Sequence, residues 1–115
     1  MTVVSVALGG ALGAVLRYLI GLAVAFPLGT LTVNVIGSLV IGVVWVAFRE
    51  KGLDQWLPFI MTGVLGGFTT FSAFSLDTLR LVDDGRLVAA GGYVMASLLL
   101  SLAACAAGLW IAKGL

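Results

Sequence analysis

The chain has 115 residues, of which 62% are hydrophobic and 10% charged, with a mean hydropathy of +1.24. A soluble domain carries roughly 25% charged residues, so a water-soluble fold is excluded and the chain belongs in a lipid bilayer. There is one cysteine, there are no histidines, and the net charge is +1; these exclude an intrachain disulfide framework, a His/Cys metal site and a basic surface for nucleic acid.

Four apolar segments are marked by the points where charges stop: about 2–25, 28–48, 56–76 and 87–112. Each meets the ~20 residues needed to cross the hydrocarbon core. The length allows a single four-helix transmembrane domain over 1–115. The connections at Phe26-Pro27, 49–55 and 77–86 are short, as between adjacent helices. Trp45, Trp56 and Trp110 fall near segment ends, where indole rings favour the interface. Ala23-Val24-Ala25 looks like a signal-peptide cleavage site, but no positive charge precedes the apolar stretch and Arg17 interrupts it, which argues against cleavage.

The first segment holds Arg17, the one charge within a span on this division. An arginine there either snorkels to the interface or stands in a vestibule and concentrates anions. Gly9 with Gly13, Gly10 with Ala14, Gly63 with Gly67 and Ala104 with Gly108 are small-xxx-small pairs that let helices approach closely. In the second segment Thr30, Asn34 and Ser38 step by four and share a face. Asn34 is the costliest to place in lipid, since its amide has two donors and two acceptor lone pairs to satisfy.

The third segment contains Gly63-Val64-Leu65-Gly66-Gly67-Phe68-Thr69-Thr70-Phe71-Ser72-Ala73-Phe74. Its glycine pair lowers helix stability, and the two threonines compete for backbone hydrogen bonds. The expectation is a helix broken mid-membrane, which is tolerated where it lines a cavity or is buried in protein. Broken helices also offer free backbone groups to ions and substrates. Phe71 and Phe74 lie on one face with Ser72 between them, and ring edges carry partial positive charge that suits a small anion. Close packing of neighbouring helices is the alternative role for the same residues. In the fourth segment Tyr93, Ser97 and Ser101 form a hydroxyl stripe. Cys105 reads as a small buried hydrophobe.

On this division no span contains Asp or Glu. A proton-coupled exporter of organic cations, which has the same length and span count, needs an embedded carboxylate. The donors that remain are hydroxyls, one amide, ring edges and backbone groups, a lining for an anion that accepts hydrogen bonds. No nucleophile–base pair can be assembled, so an enzyme is not expected. A non-transporting assembly subunit is the other alternative. Cationic residues divide almost evenly: Arg49, Lys51 and Lys113 on one side, Arg80 and Arg86 with or without Arg17 on the other. The positive-inside rule then sets no orientation, and oppositely inserted copies can pair as an antiparallel dimer.

The motifs Gly9-Gly10…Gly13-Ala14…Arg17-Tyr18, then Thr30-Leu31…Val33-Asn34…Gly37-Ser38, then Gly63 to Phe74, occur in order across the chain. In this the sequence resembles the Fluc (CrcB) fluoride channels, and the resemblance covers essentially the whole chain. It implies an all-α membrane protein of the bacterial inner membrane, a dual-topology antiparallel homodimer with two pores that conduct fluoride. It places Phe71, Phe74, Asn34, Ser72, Thr30 and the Tyr93, Ser97, Ser101 stripe along the pore and Arg17 at the vestibule. It implies a structural Na+ on the dimer axis, held by the main-chain carbonyls of Gly66 and Thr69. The implied partners are fluoride, a second copy of the chain and the lipid bilayer. Ala73 departs from the family pattern, which commonly has Thr between the two phenylalanines.

Overall fold

A computed structural model describes residues 2–114; positions 1 and 115 lie outside the described residues. The chain is helical throughout. Helix α1 spans Val3–Ala23 and α2 spans Leu28–Glu50. A short 3₁₀ turn at Asp54–Trp56 leads into a wide π-helix at Pro58–Leu65, which continues as one α-helical turn, α3, at Gly66–Phe68. After two extended residues the chain re-enters α-helix as α4, Phe71–Asp83, and ends in α5, Leu87–Lys113. Four stretches are long and apolar enough to cross a membrane: Val3–Ala23, Leu28–Glu50, Asp54–Asp83 and Leu87–Lys113.

The helix ends have local causes. Thr2 caps α1 by accepting from the Ser5 amide. Helices α2 and α4 stop in the same way, each on a glycine with positive φ, Gly52 at 70° and Gly85 at 76°. In α2 the Leu53 amide reaches back to the Phe48 carbonyl at 2.7 Å and Gly52 to Arg49 at 3.3 Å; in α4 Arg86 reaches Leu81 at 2.8 Å and Gly85 reaches Val82 at 3.0 Å. This paired closure satisfies the last carbonyls and needs a left-handed residue at that position.

The third segment differs from its sequence-based bounds. The expected end at residue 76 was set by the first charge, Asp77, yet α4 runs on to Asp83. Asp77 lies in mid-helix and is 8% exposed. The helix continues because the carboxyl is satisfied internally: the Thr30 hydroxyl donates to its Oδ2 at 2.7 Å and the Tyr93 hydroxyl at 3.3 Å. Burying a polar group is costly only when it lacks such partners. The expectation that no span holds an acidic residue is therefore corrected, and with it the argument against a cation exporter that rested on a missing carboxylate.

Two packed pairs organise the helices. Helix α2 lies along α5, and α1 lies against the π-helix and α3. Both pairings are set by glycine. A Cβ on Gly42 would strike the Cys105 carbonyl, and one on Gly108 the Leu39 carbonyl. On α1, a Cβ on Gly9 would sit 2.7 Å from the Phe59 carbonyl, and one on Gly13 would collide with the Val64 carbonyl. Gly67 meets Gly10 in the same manner. Without a hydrophobic drive between helices in lipid, this close backbone approach supplies the packing energy. The result is a slab of 50 × 32 × 20 Å, about two helix diameters thick. At one end Arg49 lies over the Trp45 ring at 4.4 Å, and at the other Arg80 lies over Phe26 at 4.1 Å, cation–π contacts suited to the interface.

Because the Gly13 contact is with backbone, no side chain can yield to it. Gly13→Ala is expected to lower the thermal denaturation midpoint in detergent, at a cost of about 1–3 kcal/mol typical of overpacking. Gly21 meets nothing within 4 Å, so Gly21→Ala should leave the midpoint unchanged or raise it, removing a glycine from the last turn of α1, where a helical glycine costs up to about 1 kcal/mol. Equal loss in the two variants would show that α1 does not depend on the Gly13 approach.

Candidate functional site

The site grows from two residues. Thr69 (φ −87°, ψ 157°) and Thr70 (φ −155°, ψ 122°) are extended, so α3 and α4 are two separate half-helices. The Thr69 amide closes the last turn on the Leu65 carbonyl at 3.0 Å, and its hydroxyl bonds the same carbonyl at 2.9 Å. Beyond it the helical pattern ends, leaving groups that need other partners. Asn34 supplies two of them. Its Oδ1 accepts from the Thr70 amide at 2.8 Å and its Nδ2 donates to the Thr70 carbonyl at 3.0 Å. The side chain thus pairs with Thr70 as a neighbouring strand residue would. Thr70 then caps α4, its hydroxyl accepting from the Ala73 amide at 3.1 Å. On the other side of the break the Arg17 Nε donates to the Gly67 carbonyl at 3.1 Å.

A groove of about 400 Å³ opens beside the break. Among its lining residues are Asn34, Ser38, Thr70, Phe71, Phe74 and Ser97; Ser101, Gly66 and Thr69 also reach it. The Phe71 and Phe74 rings are 5.4 Å apart and tilted by 53°. Phe71 is 74% exposed, whereas Ser97 is 7% exposed and its hydroxyl has no hydrogen-bond partner among the described residues. Other hydroxyls in the molecule, those of Thr32, Ser75 and Thr78, bond the carbonyl four residues back, which is the usual way for a helix to silence them. The Ser97 hydroxyl is not silenced in this way.

The structure brings Asn34, Phe71, Phe74, Ser97 and Ser101 together in this groove, with Gly66 and Thr69 at its wall. It places the remaining candidates elsewhere. Ser72 is exposed, with its Oγ 3.2 Å from the Thr70 Oγ1. Arg17 and Thr30 line a second hollow of about 340 Å³, to which Thr70 and Ala73 also contribute. Tyr93 is 5% exposed. Its ring stands 5.4 Å from Phe74 and its hydroxyl holds Asp77.

Asp77 is the residue that sequence reasoning missed. It ties α2, α4 and α5 together through Thr30 and Tyr93, the latter packed beside the Phe74 ring. The signal lay in Gly85, a helix-stop residue eight positions further on, which marks the true end of α4.

With this geometry in view, the comparisons with known proteins are decisive. The model of the family described as CrcB-like protein, Camphor Resistance (CrcB), matches residues 4–109. The chain belongs to the CrcB family. A protein of Paracoccus denitrificans named fluoride-specific ion channel FluC is 49% identical over 119 residues, covering 99% of this chain and 96% of the relative. The like-named proteins of Roseobacter denitrificans and a Ruegeria species are each 50% identical, over 98% and 99% of this chain and 96% of each relative. Family membership and the four span-length helices make this a multi-pass membrane protein. Family membership also outweighs the cation-exporter alternative that Asp77 had reopened.

Two of these contacts generate stability predictions. Asp77→Ala strips the acceptor from two hydroxyls, one of them on a buried residue, and is expected to cost about 2–6 kcal/mol, at ~1–3 kcal/mol for each group left unpaired. Asp77→Asn keeps an oxygen in place and should lose less than half as much, read as denaturation midpoints in one detergent. Asn34→Leu removes both partners of Thr70. It should reduce the yield of monodisperse protein more than Ser38→Ala, whose hydroxyl makes no bond across the break.

Proposed function

We propose that the protein is a passive fluoride channel and that the groove beside Thr69 and Thr70 is half of its permeation path. The observation that carries this reading is the lining: Asn34, Ser101 and the Phe71–Phe74 ring pair share a groove with Ser97, whose buried hydroxyl has no hydrogen-bond partner among the described residues. The relatives named as fluoride-specific channels support it over nearly their whole length. Fluoride is small and strongly hydrated. A narrow path must replace much of that hydration with donors at fixed positions. Hydroxyl and amide groups and the positive edges of aromatic rings do so without a full charge that would hold the ion. A larger halide gains less from each donor. Conduction needs no coupled energy source. Fluoride that enters a cell as the neutral acid ionises inside and leaves as the anion down its gradient.

The active unit in this proposal is an antiparallel homodimer of oppositely inserted copies in the bacterial inner membrane. Three features support it. Phe71 is largely exposed on the open side of the groove. The slab is only about two helices thick. The cationic residues and the Arg–aromatic contacts divide between the two ends, so neither orientation is favoured. The break at Thr69–Thr70 lies close to the middle of the Asp54–Asp83 span, which supports a mid-membrane position. Ser72 then extends the polar track beyond the groove, Thr30 and Tyr93 support it by holding Asp77, and Arg17 stands at the vestibule.

The main-chain carbonyls of Gly66 and Thr69 fit a structural Na+ in this arrangement. Both residues lie at the groove wall, at the point where the chain leaves helical geometry. The carbonyls of a last helical turn lack helical donors and suit a hard cation, which would brace two copies at their axis.

The test is fluoride efflux from liposomes carrying the purified protein, followed with an ion-selective electrode beside a chloride-loaded control. Fast fluoride release without chloride release is expected, and Phe71→Ile should reduce it at least about tenfold, equivalent to ~1.4 kcal/mol at the barrier. Absence of fluoride release from folded, dimeric protein would sink the channel reading.

A further inference from the structure

The polar contacts around the break come from two directions. Asn34 of α2 holds Thr70, on the far side. Arg17 of α1 holds Gly67, on the near side, through a single Nε–H bond of 3.1 Å. We propose that Arg17 is a positioning residue for the permeation site, acting through the Nε–H donor at its stem and not through its charge.

Three observations carry the inference. First, Gly67 lies in the last turn of the first half-helix, where carbonyls have no amide ahead of them and the helix dipole is negative. A donor is needed there, and Arg17 provides it across a separation of 50 residues. Second, the approach is built in. Gly67 packs on Gly10, and Gly13 packs on Val64 and the Phe68 amide, all at backbone contact. Helix α1 therefore delivers Arg17 to Gly67 in one register only. Third, the bonded carbonyl lies between Gly66 and Thr69, two residues that line the groove. Releasing Gly67 lets that turn unwind and shifts both neighbours.

The stem chemistry makes the proposal separable from a vestibule charge. Lysine keeps the charge but has a methylene where arginine has Nε. Glutamine loses the charge but has an N–H donor at that same distance along the side chain. A residue that works by concentrating anions is rescued by lysine; one that works by holding Gly67 is rescued by glutamine.

This inference rests on the channel reading for its functional consequence, so the experiment has two readouts. In the first, wild type, Arg17→Lys and Arg17→Gln are compared for initial fluoride efflux in liposomes at low and high ionic strength. Arg17→Lys should fall at least about tenfold and Arg17→Gln no more than about threefold, since only glutamine keeps a donor at the Nε position for the Gly67 carbonyl. The gap between them should be insensitive to salt, because screening acts on charge. In the second, amide hydrogen exchange of the peptide covering residues 66–72 is measured in lipid nanodiscs. Exchange there should rise in Arg17→Lys and stay near wild type in Arg17→Gln. Efflux from Arg17→Lys equal to or above that from Arg17→Gln, or unchanged exchange in Arg17→Lys, overturns the proposal. A wild-type protein that releases no fluoride overturns the channel reading instead, and the exchange measurement still decides whether Arg17 holds Gly67.

Discussion

Everything in this molecule answers to the interruption at Thr69 and Thr70. An extended backbone residue within an apolar span strips hydrogen bonds from both half-helices, and each orphaned group costs several kcal/mol in hydrocarbon. The chain meets that demand locally and at a distance. Thr70 caps the second half-helix with its own hydroxyl, Asn34 pairs with both backbone groups of Thr70, and Arg17 takes the Gly67 carbonyl. Two helices, α1 and α2, thus have their placement set by the break, and Gly9, Gly10 and Gly13 of α1 let the backbone come close enough.

The same arrangement explains why a groove forms at all. Two half-helices cannot share a continuous packing face, so the wall beside the break retreats and Ser97, Ser101, Phe71 and Phe74 border the space. Behind Phe74 the Thr30–Asp77–Tyr93 contacts hold three helices in register. Phe74 therefore stands between the groove and Tyr93 of the buried polar knot, with Phe71 beside it. A ring braced from behind keeps its edge direction, which is what a ring must do if its edge is to stand in for water.

The legible part of the site was the part that breaks compositional rules. Asn34, the Gly66-Gly67 pair, Thr69-Thr70 and the Tyr93–Ser97–Ser101 spacing are expensive in an apolar span, so their presence demands a reason. The illegible part was Asp77. Counting charges treats a carboxyl as the end of a span, because an isolated carboxyl in lipid is prohibitive. That count has no knowledge of Thr30, 47 residues away, or of Tyr93, one helix later. The π-helical winding of Pro58–Leu65 was equally hidden. It changes which residues face α1 without changing the apolar character of the segment.

The sequence by itself determined the four spans, the weak point in the third, the even division of cations and the family, since each follows from composition, local propensity or motif order. Only the tertiary structure decided which polar groups face the groove and which are consumed in holding it. Thr30 and Tyr93 look like Ser97 in a list of hydroxyls, yet two of them serve Asp77 and one has no partner among the described residues. The reason is physical: a polar residue in an apolar span announces that it needs a partner, but whether a distant helix supplies one depends on contacts that backbone approach at glycine sets, and no local pattern encodes them.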